Sequence, residues 1–230
     1  MNEGQTNAVV RVALVDDHAV VREGYRRLLE RTADISVIAE LASGEEAYRV
    51  VCDLQPDVTV MDINLPGMGG IEAVRRIVAR LPEARILMFS MHEDTVFSSR
   101  ALQAGARGYV TKSAAPEVLV EAVRLLAAGK LYISHEMAQE LAVQMLPGRE
   151  NPIDALSARE FEVFRLLVAG HSLQEISGIL CLSYKTVANY QSNIKHKLDV
   201  SNTAQVVRIA LSHGLIAGPA EAEENRSEAG

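Results

Sequence analysis

Val12-Ala13-Leu14-Val15-Asp16-Asp17 is a short aliphatic run that stops on two adjacent acids, and Val58-Thr59-Val60-Met61-Asp62 repeats the pattern with a third. Brief β-rich apolar runs closed by polar residues suit strands buried on both faces. Working outward, residues 35–39, 86–89 and 108–110 read the same way, with an amphipathic stretch between each pair. Val21, Tyr25, Leu28 and Leu29 share one helical face, as do Ile71, Val74, Val78 and Leu81, and later Leu119, Val123 and Leu126. Ser43 with Glu46 three residues on predicts a capping box, and Gly105 and Gly129 stand where helices should stop. Five such β/α units over residues 11–128 predict a doubly wound parallel sheet with helices on both faces.

Composition narrows the class. Of 230 residues, 48% are hydrophobic but only 4% aromatic, with no Trp, so the core must be built from Val, Leu, Ile, Ala and Met. That apolar content excludes disorder for most of the chain. No apolar run approaches the ~20 residues of a membrane helix, and residues 1–8 lack a basic flank and apolar stretch, so no membrane partner and a cytoplasmic location are expected. Cys52 and Cys181 are far apart with no CxxC near either, which reads as two buried thiols.

Net charge is −7, yet residues 153–218 hold six basic and five acidic side chains. Within that segment Lys185, Lys195, His196 and Lys197 have no acid among them. Such a strip is either a DNA footprint or a solvated helix face.

Met137, Leu141 and Met145 recur every four residues and predict a connecting helix, which Pro147-Gly148-Arg149-Glu150-Asn151-Pro152 breaks. Beyond it, Ser157 with Glu160, Ser172 with Glu175, Ser183, and Asn202 before Thr203 signal four helix starts, with Gly170 and Gly214 after helix ends. No strand signal appears there. The expected domains are therefore 9–131, a linker with a helix over 132–152, an all-helical domain over 153–217 and an acidic, disordered tail over 218–230.

Ligands of open α/β sheets bind beyond the carboxyl ends of the strands. The residues expected there are Asp16, Asp17, Asp62, Ser90 and Lys112. A single Asp after a strand is more often a cap or turn former. Three carboxylates at one rim, however, repel one another unless a cation joins them, and an all-oxygen set suits Mg²⁺. A lysine and a hydroxyl at the same rim supply positive charge and a donor for phosphoryl oxygens.

With Val60-Met61-Asp62-Ile63-Asn64-Leu65-Pro66-Gly67-Met68-Gly69-Gly70, Phe89-Ser90 and Gly108-Tyr109-Val110-Thr111-Lys112, residues 11 to about 130 resemble the flavodoxin-like receiver domains of bacterial response regulators. The resemblance implies that Asp62 takes a phosphoryl group from a sensor histidine kinase. It implies Mg²⁺ held by Asp17, Asp62 and the Asn64 backbone carbonyl, with Asp16 acting through water. Lys112 would pair with the phosphoryl oxygens, Ser90 would hydrogen-bond them, and Tyr109 would rotate inward to pass the event on. Lys112 is followed by Ser113 where receivers commonly have proline, and Ser90 by Met91 where Ala or Gly is frequent. His18 and His92 read as surface or capping residues.

Leu156-Ser157-Ala158-Arg159-Glu160, Leu173-Gln174-Glu175-Ile176-Ser177, Leu182-Ser183-Tyr184-Lys185-Thr186-Val187 and Lys197-Leu198 resemble the helix-turn-helix domain of the LuxR type. The whole chain is then similar to NarL/FixJ response regulators. Helical spacing puts Val187, Ile194 and Leu198 in the core and turns Lys185, Ala188, Asn189, Ser192 and His196 outward. The resemblance gives Ala188, Asn189 and Ser192 to base edges, and Lys185, Thr186, Tyr190 and Lys195 to phosphates. It implies promoter DNA as partner and a homodimer formed on phosphorylation or on DNA, with RNA polymerase a further candidate. No enzyme is expected beyond self-phosphorylation and dephosphorylation. Two rival readings stay open: a Mg²⁺-dependent aspartyl-phosphate phosphatase or phosphotransferase, and a protein-interaction adaptor without DNA binding.

Overall fold

A computed structural model describes residues 9–91, 95–144 and 152–212. The N-terminal residues 1–8, His92, Met145, the break over 147–151, Gly214 and the tail expected over 218–230 lie outside the described residues. The chain divides between Val143 and Gln144 into two compact units. Among the described residues no helix is long and apolar enough to cross a membrane.

In the first unit five strands, β1 (Val10–Val15), β2 (Ile35–Leu41), β3 (Val58–Met61), β4 (Ile86–Ser90) and β5 (Gly108–Thr111), form one sheet in the order β2-β1-β3-β4-β5. Every pairing is parallel. Helices α1 (Ala19–Glu30), α2 (Gly44–Leu54), α3 (Gly70–Arg80) and α4 (Thr95–Gln103) connect them, and α5 (Pro116–Ala127) follows β5. All residues of β3 and β4 are buried, as expected for central strands covered on both faces. Val12, Leu14, Val60, Leu87, Phe89 and Val110 meet Leu29 of α1 and Leu119, Val123 and Leu126 of α5 in one cluster. Each such aliphatic side chain contributes about 1.5–3 kcal/mol by leaving water. Alternate strand residues, such as Met61, Met88 and Tyr109, point to the other face.

β3 matches the sequence reading, and the other four strands run one or two residues beyond it, because ladder pairing continues where the apolar pattern ends. Ser90 pairs with Thr111 and is the last residue of β4. The apolar face of α3 is centred on Ile71, Val74 and Ile77, while Val78 is half-buried and Leu81 lies past the helix end. At α2 the expected capping box is half present: Ser43 accepts the Glu46 N–H, but Glu46 reaches back to the N–H of Ala42. Gly105 and Gly129 follow α4 and α5 with φ of +106° and +77°. The thiols differ: Cys52 is buried and Cys181 is exposed, since Cys181 sits in a turn with φ of +52°.

Tyr132 extends the sheet edge, bridging to Gly108 and accepting the Tyr109 N–H at 2.9 Å. Only glycine allows this approach, because a Cβ at Gly108 would lie 2.9 Å from the Tyr132 carbonyl oxygen. The connecting helix α6 (His135–Gln144) follows, with Met137 buried.

The second unit starts with a 3₁₀ turn (Pro152–Ala155) and packs α7 (Ala158–Val168), α8 (Leu173–Ile179), α9 (Tyr184–Lys197) and α10 (Thr203–Ser212). Ser157 and Ser172 form complete capping boxes with Glu160 and Glu175. Ser183 accepts the Thr186 N–H, and Asn202 accepts that of Gln205. Ile153, Phe161, Phe164, Ile176, Val187, Ile194 and Val206 fill the core.

Candidate functional site

The strand order reverses between β1 and β3, so a crevice opens at their carboxyl ends. Backbone bonds fix what stands there. The Asp16 N–H donates to Leu41 O at 3.0 Å, and the Asp62 N–H to Val15 O at 2.9 Å. The Lys112 N–H is fixed in turn by Ser90 O at 2.7 Å. Three strand ends therefore deliver their side chains to one place.

Lys112 Nζ lies 2.6 Å from Asp16 Oδ2 and 2.9 Å from Asp62 Oδ2. All three side chains are 6–8% exposed. Burial alone would lower the Lys112 pKa, but hydrogen bonds to Asp16 and Asp62, with their charges, raise it above the ordinary value. The ammonium therefore stays charged between the acids. It also stands 5.9 Å from the Phe89 ring centre, against which Tyr25 packs edge-on at 4.6 Å.

The second Asp16 oxygen, Oδ1, accepts the His18 N–H at 2.8 Å. Asp17 is exposed, and its Oδ1 lies 2.8 Å from His18 Nδ1. Asp16, Asp17 and His18 offer ligand atoms within 4.8 Å of one another, while Asp62 joins them through Lys112. An acidic cluster of this donor chemistry fits a hard divalent cation. The Asn64 N–H approaches Asp62 Oδ1 at 3.3 Å, and Asn64 is half-buried.

The loop after Asp62 is pinned from below. Glu45 Oε1 accepts the Met68 N–H at 2.8 Å, and a Cβ on Gly70 would fall 2.0 Å from the Asp62 carbonyl oxygen. Ser90 is fully buried, and Tyr109 is 1% exposed, so its ring already lies inside the protein. Met91 and Ser113 are exposed.

Three contributors escape a reading of the sequence. His18, which reads as a surface or capping residue, is exposed at the N-cap of α1 without a capping bond, and its ring turns to Asp17. Arg22 donates to the Asp16 carbonyl oxygen, and Glu45 reaches the site loop from α2. The i+6 spacing of Arg22 from Asp16 was the one available signal; nothing local marks Glu45.

In the second unit, residues 180–183 link α8 to α9. Lys185, Asn189, Ser192 and His196 are exposed on α9, whereas Ala188, Thr186, Tyr190 and Lys195 are half-buried. The Thr186 hydroxyl bonds Ser183 Oγ at 2.8 Å. Lys197 is exposed like His196 but engaged: its Nζ lies 2.6 Å from buried Glu160 Oε2 and 3.1 Å from Ala155 O. That pair ties the end of α9 to the start of α7.

Two family models match the chain. The response regulator receiver domain covers residues 12–124, and the bacterial regulatory proteins of the luxR family cover 154–210. Response regulator GacA of Pseudomonas viridiflava is 39% identical over 210 residues, spanning 90% of this chain and 98% of its own. A crystal structure of a LuxR-family two-component response regulator from Aurantimonas sp. is 50% identical with a TM-score of 0.57, covering 60% of this chain and 98% of its own. RcsB of Salmonella enterica serovar Typhimurium, bound to promoter P1flhDC in the presence of the phosphomimetic BeF3−, is 26% identical with a TM-score of 0.63, over 88% of this chain and 98% of its own.

Proposed function

Since this chain belongs to the two-component response regulators that join a receiver to a LuxR-type DNA-binding domain, we propose that phosphorylation of Asp62 by a sensor histidine kinase controls its binding to promoter DNA. The observation that carries this reading is the buried Lys112 ammonium 2.9 Å from Asp62 Oδ2.

An Asp62 oxygen attacks the phosphorus of a phosphohistidine; the new O–P bond forms as the N–P bond breaks. Lys112, now shared between Asp16 and Asp62, takes up the arriving phosphoryl oxygens. Ser90, at the end of β4, donates its hydroxyl to the same group. Tyr109, on the neighbouring β5 and paired with Met88 two residues before Ser90, holds the inward position that reports the change. Mg²⁺ would be held by Asp17, Asp62 and the Asn64 carbonyl, with Asp16 acting through water. Its chemistry there is charge neutralisation on the phosphoryl oxygens. The chain's catalysis is confined to gaining and losing its own phosphoryl group.

On α9, Ala188, Asn189 and Ser192 address base edges, and Lys185, Thr186, Tyr190 and Lys195 address phosphates. Asn189 suits adenine and Ala188 a thymine methyl. Phosphorylation shifts the population toward a form that dimerises on DNA, with half-sites about one helical turn apart or a multiple of it. The protein works in the cytoplasm, with RNA polymerase as a further partner.

Intact mass after incubation with Mg²⁺ and acetyl phosphate tests the switch. A labile gain of one phosphoryl group, absent from Asp62→Ala, is expected. The same gain on Asp62→Ala would remove Asp62 as the acceptor.

A further inference from the structure

We propose that His18 is a nitrogen ligand of the divalent-cation site and gives it a preference for first-row transition ions over Mg²⁺. The proposal rests on the reading of Asp16 and Asp17 as cation-binding carboxylates, and adds to it which ions they take.

His18 sits at the start of a helix without capping it. It occupies the N-cap of α1 with extended backbone, φ of −93° and ψ of 106°, yet its side chain makes no capping hydrogen bond. Its side chain is 69% exposed, so it is no core residue either. The ring turns toward the acids instead, with Nδ1 2.8 Å from Asp17 Oδ1 and 3.4 Å from Asp16 Oδ1. Nδ1 and Asp17 Oδ1 stand at hydrogen-bond distance, and since donor atoms sharing one small dication at bond lengths of ~2.1 Å also sit ~3 Å apart, an ion can replace the proton between them with little movement.

The partition of Asp16 supports the same view. Its Oδ2 faces inward to Lys112, and its Oδ1 faces outward to His18. The inner half of the cluster holds a fixed cation, and the outer half, open to solvent, presents two carboxylates and an imidazole. Carboxylates alone favour Mg²⁺, Ca²⁺ and Mn²⁺, whereas imidazole adds affinity along the series Mn²⁺, Co²⁺, Ni²⁺. Mg²⁺ takes imidazole poorly, so His18 should matter little to it.

The test is calorimetric titration of the tag-free full chain with MgCl₂, MnCl₂, CoCl₂ and NiCl₂, at a pH well above the ordinary imidazole value of ~6.5. His18→Leu is expected to weaken Co²⁺ and Ni²⁺ binding at least ~tenfold and Mg²⁺ binding less than ~threefold. In the wild-type chain, substoichiometric Co²⁺ should shift or broaden the His18 ring resonances, and Asp17→Asn should abolish that effect. Equal losses for all four ions would overturn the proposal, leaving His18 as a holder of the Asp17 carboxylate; unchanged affinities with an unperturbed ring would overturn it too. If these results go against His18 while acetyl phosphate still labels Asp62, the receiver reading stands and this inference alone fails.

Discussion

Lys112 stands 2.9 Å from Asp62 although 50 residues separate them, and its ammonium is shared with Asp16 at 2.6 Å. Two carboxylates and one cation are thereby held at the end of the sheet with 6–8% side-chain exposure. At such burial a missing partner costs far more than a surface ion pair would.

Lys112→Met should accordingly destabilise the receiver by about 3 kcal/mol, because it leaves Asp16 and Asp62 buried without their cation. Adding Asp62→Asn removes one of the two repelling charges and should restore at least ~1 kcal/mol. Hydrogen exchange of the Val60 and Val110 amides reads both effects within the sheet. A double variant no more stable than Lys112→Met alone would mean that the acids do not repel in the folded state.

Gly70→Ala should disturb the phosphoacceptor loop without touching any charge. Its Cβ would fall 2.0 Å from the Asp62 carbonyl oxygen, so the start of α3 and the loop must separate. We expect a loss of about 3 kcal/mol, at the upper end for overpacking, and a lower extent of labelling by acetyl phosphate. Gly24→Ala is the control, since no atom lies within 4 Å of the Cβ it would gain.

Glu160 sets a pH dependence in the helical unit. Burial would raise its carboxyl pKa, but the bonds from Lys197 and Ser157 more than offset this and hold it below the ordinary carboxylate value. A lowered pKa means that the stabilisation is fully present above ~4.5 and is lost as pH falls through the folded-state value. Glu160→Gln should be less stable at neutral pH by about 1 kcal/mol, allowing for screening at the partly exposed Lys197, and should show a flatter acid limb. Exchange protection of the Ile194 amide against pH distinguishes the two proteins.

On DNA, Asn189→Ala and Lys185→Ala should fail differently. Asn189→Ala should cost about 1–3 kcal/mol on the preferred site and relax discrimination at one base pair. Lys185→Ala should weaken all sequences alike and reduce the slope of log affinity against log salt by about 1. Salt titrations on specific and random duplexes separate these outcomes. A uniform loss for Asn189→Ala would take that residue away from the base edges.

The alternation of short apolar runs with amphipathic stretches was enough to establish the α/β class and the five strands, because unbroken apolar runs mark central strands and a 3.6-residue period marks helices; the edge strand β2, by contrast, is mostly half-buried. The caps at Ser157, Ser172 and Ser183 were equally legible, since a cap and its partner lie within three residues. Asp16, Asp17, Asp62 and Lys112 could be named from their positions after strands, once parallel order places those ends on one side of the sheet.

What depended on tertiary structure is pairing across long separations. That Lys112 divides its charge between Asp16 and Asp62, that Glu45 holds the loop after Asp62 from a different helix, and that the exposed Lys197 clamps Glu160 all rest on residues 23 to 96 positions apart. His18, read as a surface or capping residue, is indeed exposed at the N-cap of α1, but the turn of its ring toward Asp16 and Asp17 depends on a side-chain torsion that no pattern of residue types encodes. Local sequence determines where strands and helices form and which faces are apolar, whereas the choice of partner for a long charged or imidazole side chain is made only when the folded chain brings competing groups within ångströms of it.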